Sequence, residues 1–218
     1  MTVRCSRIPV LFLLVALPSL ANGQEPRLVG RVPDPARAQV DAVLDGARAR
    51  GLPVEPLVDR ALEGAAKGAP PGLIVAAVIR LRDELVVVRG AFGDTASTAE
   101  LTAGASALRA GAGAEDLARL RRLRPGQPLT VAAAVLADLV AAGVPADTAI
   151  GAVLALAPGL GDAEYIAFRR NVQRDIELGA SPAAALGVRL RVADEMANAP
   201  NAPNTGTGST GGRRKQKP

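Results

Sequence analysis

The helical pattern of the chain is clearest in residues 143–182, which have the sequence GVPADTAIGAVLALAPGLGDAEYIAFRRNVQRDIELGASP. Apolar residues in this stretch recur three and four positions apart, the spacing of one face of an α-helix. Gly143 and Gly179 each follow a helical pattern, and glycine tolerates the left-handed conformation that ends a helix. A proline comes within three residues of each, as is typical of the first turn of a following helix. The stretch therefore predicts helices near 145–157 and 162–178.

The same arrangement extends through the body of the chain. Between the glycines, strong helix formers predominate. Asp34-Pro35 and Ser181-Pro182 are each expected to be an N-cap residue followed by a first-turn proline, and Ser97-Thr98-Ala99-Glu100 matches a capping box. Glycines separate these helical patterns at intervals of 15–25 residues: Gly51, Gly68, Gly93, Gly111, Gly126, Gly143, Gly161 and Gly179.

These signals predict an all-α fold, an antiparallel array or bundle of about nine short helices. Connections of two to seven residues favour antiparallel neighbours. A helical hairpin would take about 35 residues, the length of tetratricopeptide-like repeats, but the aromatic positions of those repeats are missing. A solenoid of hairpins and a closed bundle both remain open. The predicted helices are 34–50, 54–67, 71–89, 97–110, 114–123, 128–142, 145–157, 162–178 and 181–196.

The first 23 residues have the three parts of a secretory signal peptide. Arg4 and Arg7 form a positive start, and residues 8–20 form an apolar run. Small residues at 21–23 suit cleavage before Gln24. The apolar run is shorter than the roughly 20 residues that span a bilayer. We therefore expect cleavage, no transmembrane segment in the mature chain, and a periplasmic or secreted protein.

Three further segments are predicted in the mature chain. Residues 24–33 are expected to be a linker, and residues 34–196 a single helical domain. Residues 197–218 are rich in Asn, Pro, Thr and Gly and end in a basic run, a composition typical of disorder.

Composition excludes several kinds of chemistry. The chain has no histidine, and Cys5, its one cysteine, lies within the predicted signal peptide. A mature chain without either residue has no thiol nucleophile, no disulfide and no imidazole for metal binding or proton transfer. Calcium-loop and phosphate-loop motifs are also missing from the sequence. We therefore predict no metal and no cofactor.

The charge of the chain is concentrated at its two ends. The 26 Lys and Arg exceed the 21 Asp and Glu, but six of the basic residues lie in residues 1–23 and 197–218. The body is thus nearly neutral, so bulk charge predicts no specific nucleic-acid partner. The densest basic cluster of the body lies in residues 119–124. These arginines either complement the dipole at a helix C-terminus or bind an anionic partner, such as lipid head groups or an envelope polymer. With the tail, this patch comprises Arg119, Arg121, Arg122, Arg124, Arg213, Arg214, Lys215 and Lys217.

An enzyme built from this composition would use carboxylates, Ser or Thr with Lys, or an oxygen-ligated metal. The sequence has no Ser-x-x-Lys motif, so the serine–lysine possibility has no local support. Paired carboxylates could hydrolyse glycosidic bonds. Acidic residues in first helical turns are explained by their favourable interaction with the helix dipole. The chain also has few aromatic side chains on which a sugar ring could stack. Lys67 is expected to form a surface ladder of charges with Glu63 and Asp59. The candidate acid pairs are Asp83-Glu84, Glu115-Asp116, Asp162 with Glu164, and Asp194-Glu195.

One predicted helix carries two of the aromatic residues. Tyr165, Phe168, Val172 and Ile176 fall three and four positions apart, so they share one helix face. The pattern is typical of a core stripe. The alternative is a groove for a partner.

Residues 51–70, GLPVEPLVDRALEGAAKGAP, resemble a family of uncharacterised exported, Ala-rich helical proteins of bacteria. The resemblance extends more faintly through 107–111 and 129–145, and it implies no assigned activity. We predict a non-enzymatic exported module that binds or scaffolds a protein or peptide partner in the cell envelope. The alternatives are a polyanion or membrane-surface binder and a carboxylate-based hydrolase. The sequence leaves the oligomeric state open.

Overall fold

The computed structural model describes residues 25–198, with side chains described up to Glu195. This part of the chain has one short 3₁₀ helix, nine α-helices and no strand, which confirms the predicted all-α class. Connections between successive α-helices are four to six residues long. The predicted signal peptide and the tail beyond residue 198 lie outside the described residues. The helices are α1 (Asp34–Arg48), α2 (Glu55–Ala66), α3 (Pro71–Phe92), α4 (Thr98–Arg109), α5 (Ala114–Leu123), α6 (Thr130–Ala141), α7 (Ala146–Leu156), α8 (Asp162–Glu177) and α9 (Pro182–Asn198).

Glycine marks most of the helix ends, as expected. Seven of the eight predicted glycines have a positive φ, from 65° at Gly51 to 109° at Gly111. Gly161 is the exception, because its φ is −80° and it is the N-cap residue of α8. Gly161 directly precedes the helix predicted over 162–178, because glycine is also accepted at the N-cap, where its backbone is extended. Asp34 begins α1 without capping it, and its side chain pairs with Arg37.

Two compact units make up the chain, one up to Ile79 and one from Arg80 onward, whereas the sequence predicted one domain over residues 34–196. Helix α3 begins in the first unit and ends in the second. Helical periodicity could not reveal this division. It shows which face of a helix is apolar but not which other helices cover that face.

The segment predicted as a linker, 24–33, is packed into the first unit from Glu25 onward. The 3₁₀ helix Pro26–Leu28 lies against α2. Leu28 and Val32 are buried in the core. These two apolar side chains anchor the segment, although its proline and glycine content suggested a loop.

The predicted charge ladder on α2 is half formed. Lys67 pairs with Glu63 at 2.6 Å, four residues apart on the helix surface. Asp59 instead accepts a hydrogen bond from Arg27 of the 3₁₀ helix at 2.6 Å. The Arg27 side chain therefore ties the packed N-terminal segment to α2.

Helix α6 is central to the second unit, where it packs against α4, α7 and α8. Helices α6 and α7 form a hairpin through a four-residue connection, and α8 and α9 form another. Small residues bring α4 close to its neighbours. The buried positions of α4 include Ala103, Gly104, Ala105 and Ala107.

Gly104 gives a direct test of this packing. A β-carbon at Gly104 would lie 2.4 Å from Cγ1 of Val88 and 3.0 Å from the ring of Phe92. Val88 is fully buried and branched at Cβ, so it has little freedom to move aside. We expect Gly104→Ala to lower the free energy of unfolding by about 1–3 kcal/mol, measured by urea unfolding.

The matched control for that substitution is Gly151→Ala. Gly151 lies inside α7, is exposed, and has open space where its β-carbon would be. Alanine there should raise the free energy of unfolding by about 0.4–1 kcal/mol, through helix propensity and unfolded-state entropy. If both variants were equally stable, α4 would not approach α3 as closely as described.

Candidate functional site

The capping box predicted at the start of α4 is present. Oγ of Ser97 accepts a hydrogen bond from the Glu100 backbone N–H at 3.2 Å. Oε2 of Glu100 in turn accepts from the Ser97 backbone N–H at 2.9 Å and from its hydroxyl at 3.0 Å. The two side chains therefore satisfy donors that the helix itself leaves unpaired.

The other carboxylate oxygen of Glu100 joins α4 to its neighbours. Oε1 accepts from the backbone N–H of Leu129, just before α6, at 3.0 Å, and from Arg121 of α5 at 2.7 Å. Glu100 is only 8% exposed, and burial by itself raises the pKa of its carboxyl group. The hydrogen bonds from Ser97, Leu129 and Arg121 outweigh burial, so the pKa lies below its ordinary value.

Arg121, predicted to belong to an anion-binding patch, is used inside the protein. Besides Glu100, it donates to the carbonyl of Gln127 at 2.9 Å. Its guanidinium also lies 5.8 Å from the ring centre of Phe92, on α3. These contacts hold α5 against the start of α4 and the end of α3.

Arg124 is buried more deeply than any other charged side chain described here, with 1% exposed. It donates to the carbonyl of Leu160 and, at 3.1 Å, to Asp162 at the start of α8. Its guanidinium lies 5.2 Å from the ring centre of Tyr165, a favourable cation–π distance. The residue that follows α5 is therefore attached to the start of α8.

Tyr165 completes this cluster. Its hydroxyl donates to the carbonyl of Val153 on α7 at 2.8 Å. Burial raises the pKa of Tyr165 to about 12, against the opposing effect of the nearby Arg124 charge. Tyr165, Phe168 and Val172 are buried, so the core-stripe interpretation holds for them, while Ile176 is half-buried.

The predicted basic patch is thus divided by the structure. Arg121 and Arg124 form internal contacts, whereas Arg119 and Arg122 are exposed. Neither exposed arginine has an ion-pair or hydrogen-bond partner among residues 25–198. The tail members of the patch lie outside the described residues: Arg213, Arg214, Lys215 and Lys217.

The candidate acid pairs are separated by their contacts. Asp83 pairs with Arg82, and Glu84 pairs with Arg109. Asp116 accepts from the backbone N–H of Gly113 at 2.8 Å, as a helix-capping side chain does. The carboxyl groups whose pKa departs from its ordinary value, Glu63, Glu100 and Asp175, all have it lowered. A general acid at neutral pH needs the opposite shift.

A groove between α8 and α9 has a volume of about 390 Å³. Its walls are chiefly apolar, and the half-exposed Val192 of α9 lies in it. Arg189, at one side, donates twice to Asp175, at 2.6 and 2.7 Å, and this pairing lowers the pKa of Asp175. The lining residues are Gly159, Leu160, Glu164, Ala167, Phe168, Asn171, Arg189, Val192 and Ala193.

The spacing of Phe168 on α8 predicted a core stripe, with a groove for a partner as the alternative. Phe168 is buried and also belongs to the lining of this groove. The groove exists because α9 buries Ala185 and Leu186 but leaves Val192 part-exposed. The sequence pattern does not indicate the contribution of Val192, because its exposure depends on how α9 packs against α8.

Across the described part of the chain, no three Asp, Glu, His or Cys side chains are grouped as metal binding requires. Each helix within residues 25–198 is too short or too polar to cross a bilayer.

No protein-family model, curated protein or solved structure matches the chain.

Proposed function

We propose that the protein is a non-enzymatic helical binding module, exported to a bacterial cell envelope. In this proposal the groove between α8 and α9 receives apolar side chains of a protein or peptide partner. The observation that carries the proposal is the groove itself. Its volume is in the range of ligand-binding pockets, and its walls are mostly apolar with a few polar groups at their edges.

The chemistry of the chain supports binding rather than catalysis. The mature chain that the signal pattern predicts has neither histidine nor cysteine. Glu164 is the single carboxylate that lines the groove, so paired carboxylates for glycoside hydrolysis do not meet there. The carboxylate-hydrolase alternative therefore has no support from the described residues.

Export is supported by the sequence of the first 23 residues. Arg4, Arg7 and the apolar run at 8–20 match a signal peptide. The resemblance to exported helical proteins of bacteria is consistent with this interpretation. A signal peptide assay with residues 1–23 fused to a periplasmic reporter would test it.

Val192→Glu tests the groove as a partner site. Val192 is 40% exposed, so glutamate can keep its carboxylate in water without unfolding the chain. A charge beside Leu160 and Phe168 would, however, have to be desolvated by an apolar partner side chain. We expect the variant of residues 24–218 to lose partners that the wild-type protein captures from its native envelope, measured by pull-down and mass spectrometry.

Val188→Glu is the control for that experiment. Val188 lies one turn earlier on α9, is 45% exposed, and does not line the groove. This variant should capture the same partners as the wild-type protein, with the same circular dichroism spectrum. Equal capture by the Val192 and Val188 variants would contradict the groove as the contact site.

The polyanion alternative rests on fewer residues than the sequence suggested. Within the body of the chain, Arg119 and Arg122 are the residues of the predicted patch that could contact a polyanion, because Arg121 and Arg124 form internal contacts. Each cation near an anionic membrane surface contributes about 1 kcal/mol, so two contribute only about 2 kcal/mol. Stronger binding through the predicted patch would therefore depend on its tail residues.

A further inference from the structure

A second groove lies within the unit that begins at Arg80, between the end of α3 and α5. Its volume is about 280 Å³, and its lining is mostly small and apolar. Val87 contributes a side chain that is 41% exposed. The lining residues are Val87, Gly90, Ala91, Ala114, Glu115 and Ala118.

Arg119 and Arg122 belong to α5, the helix that supplies Ala114, Glu115 and Ala118 to this groove. Arg119 is four residues after Glu115, and Arg122 is four residues after Ala118, so each stands one helical turn beyond a lining residue. Both arginines are exposed, and neither is neutralised by another residue in the described part of the chain. The groove thus has an apolar wall with two unpaired cations next to it.

We propose that this groove binds an acidic peptide segment of a partner protein. An aliphatic side chain of the segment lies between α3 and α5, and its carboxylates bind Arg119 and Arg122. The planar guanidinium group matches a carboxylate with two parallel hydrogen bonds. Arginines three residues apart on α5 lie about 5–6 Å apart at Cβ, which matches carboxylates one turn apart on a bound helix.

The surroundings of the groove favour a peptide over an anionic membrane. Glu115 lines the groove, whereas the nearby Asp83 is paired with Arg82. A uniformly anionic lipid surface would be repelled by the Glu115 carboxylate. A peptide carries acids only where its sequence places them, so it can contact the arginines and avoid Glu115.

The site is independent of the groove between α8 and α9, and it can be tested without knowing the partner. The probe is a synthetic helical peptide with leucine and glutamate three and four positions apart. Added to ¹⁵N-labelled protein of residues 24–218, it should shift amide signals near 87–91 and 114–122. Arg119→Glu combined with Arg122→Glu should weaken the affinity at least tenfold.

Arg170→Glu combined with Arg191→Glu is the matched control. Arg170 on α8 and Arg191 on α9 are also exposed, and their replacement changes the net charge equally. The control variant should keep the wild-type affinity for the peptide. A peptide with glutamine in place of glutamate should bind neither the wild-type protein nor the control variant.

Equal losses in the two double variants would overturn the proposal, because they would indicate an effect of net charge alone. Shifts confined to other helices would overturn it as well. Binding to anionic lipid vesicles is the remaining measurement. If they bind through Arg119 and Arg122 while the peptide causes no shifts, the site belongs to a membrane surface and the proposal fails.

Discussion

Arg124→Met is expected to lower the free energy of unfolding by about 3 kcal/mol. The substitution removes a side chain that is 1% exposed and leaves the Leu160 carbonyl without its donor. An unsatisfied buried acceptor costs about 1–3 kcal/mol, and a desolvated cation–π contact such as that with Tyr165 contributes about 2 kcal/mol. Asp162 is partly exposed, so water compensates for its lost partner.

Thermal unfolding followed by circular dichroism gives the measurement. A loss of about 3 kcal/mol should lower Tm by roughly 6–12 °C in a chain of this size. Arg122→Met is the control, because Arg122 belongs to the same cluster but is exposed. Its effect should stay within about 0.5 kcal/mol. If both variants had the same Tm, Arg124 would not occupy the buried position described.

Tyr165 gives this prediction a spectroscopic readout, since it is the single tyrosine of a chain without tryptophan. Its folded-state pKa of about 12 lies above the ordinary value of 10.0. The contribution of Tyr165 to stability is therefore fully present below pH 10 and is lost as pH rises toward 12. Ultraviolet titration should show ionisation delayed in the folded protein relative to the urea-unfolded chain.

Glu100→Ala is expected to lower the free energy of unfolding by about 2–4 kcal/mol at pH 7. The carboxylate accepts hydrogen bonds from Ser97, Arg121 and the backbone N–H of Leu129. Its removal ends the capping box and leaves donors unsatisfied, each at a cost of about 1–3 kcal/mol. Glu100→Gln keeps one acceptor oxygen, so it should be less destabilising when both are measured by urea unfolding.

The effect of Glu100 should depend on pH. Because its folded-state pKa lies below the ordinary value of 4.5, its charge stabilises the protein above pH 4.5. This contribution is lost as pH falls through the lower folded-state pKa. The difference in stability between wild type and Glu100→Gln should therefore shrink below pH 4.5. Glu63 and Asp175 also have lowered pKa values. Both residues are present in the wild type and in the variant, so their contributions cancel in the difference in stability. A difference that stayed constant down to pH 2 would contradict this role of the carboxylate.

The local sequence was sufficient for several features that depend on neighbouring residues. Ser97 and Glu100 lie three residues apart, and their capping box formed as predicted. Gly51 and Gly143 end helices in the left-handed conformation, because no β-carbon opposes it. Gly161 has the same residue type but begins α8, since glycine by itself does not distinguish the end of one helix from the start of the next.

Contacts between distant residues were beyond the reach of these local patterns. In 119–124, four arginines looked equivalent, yet Arg124 is buried against Leu160 and Asp162, 36 and 38 residues further along the chain. Asp59 likewise pairs with Arg27 rather than with its own helix. Partners this far apart in sequence are brought together only when helices pack.

The sequence by itself determined that this chain is all-α, where most of its helices begin and end, and which local caps they carry. Those features depend on propensity, periodicity and turn chemistry within a few residues. The tertiary structure alone decided the division at Ile79, which arginines in 119–124 are buried or exposed, and the grooves beside Phe168 and Val87. The physical reason is that burial and hydrogen-bond satisfaction are properties of packed surfaces, and each such surface combines residues from several helices.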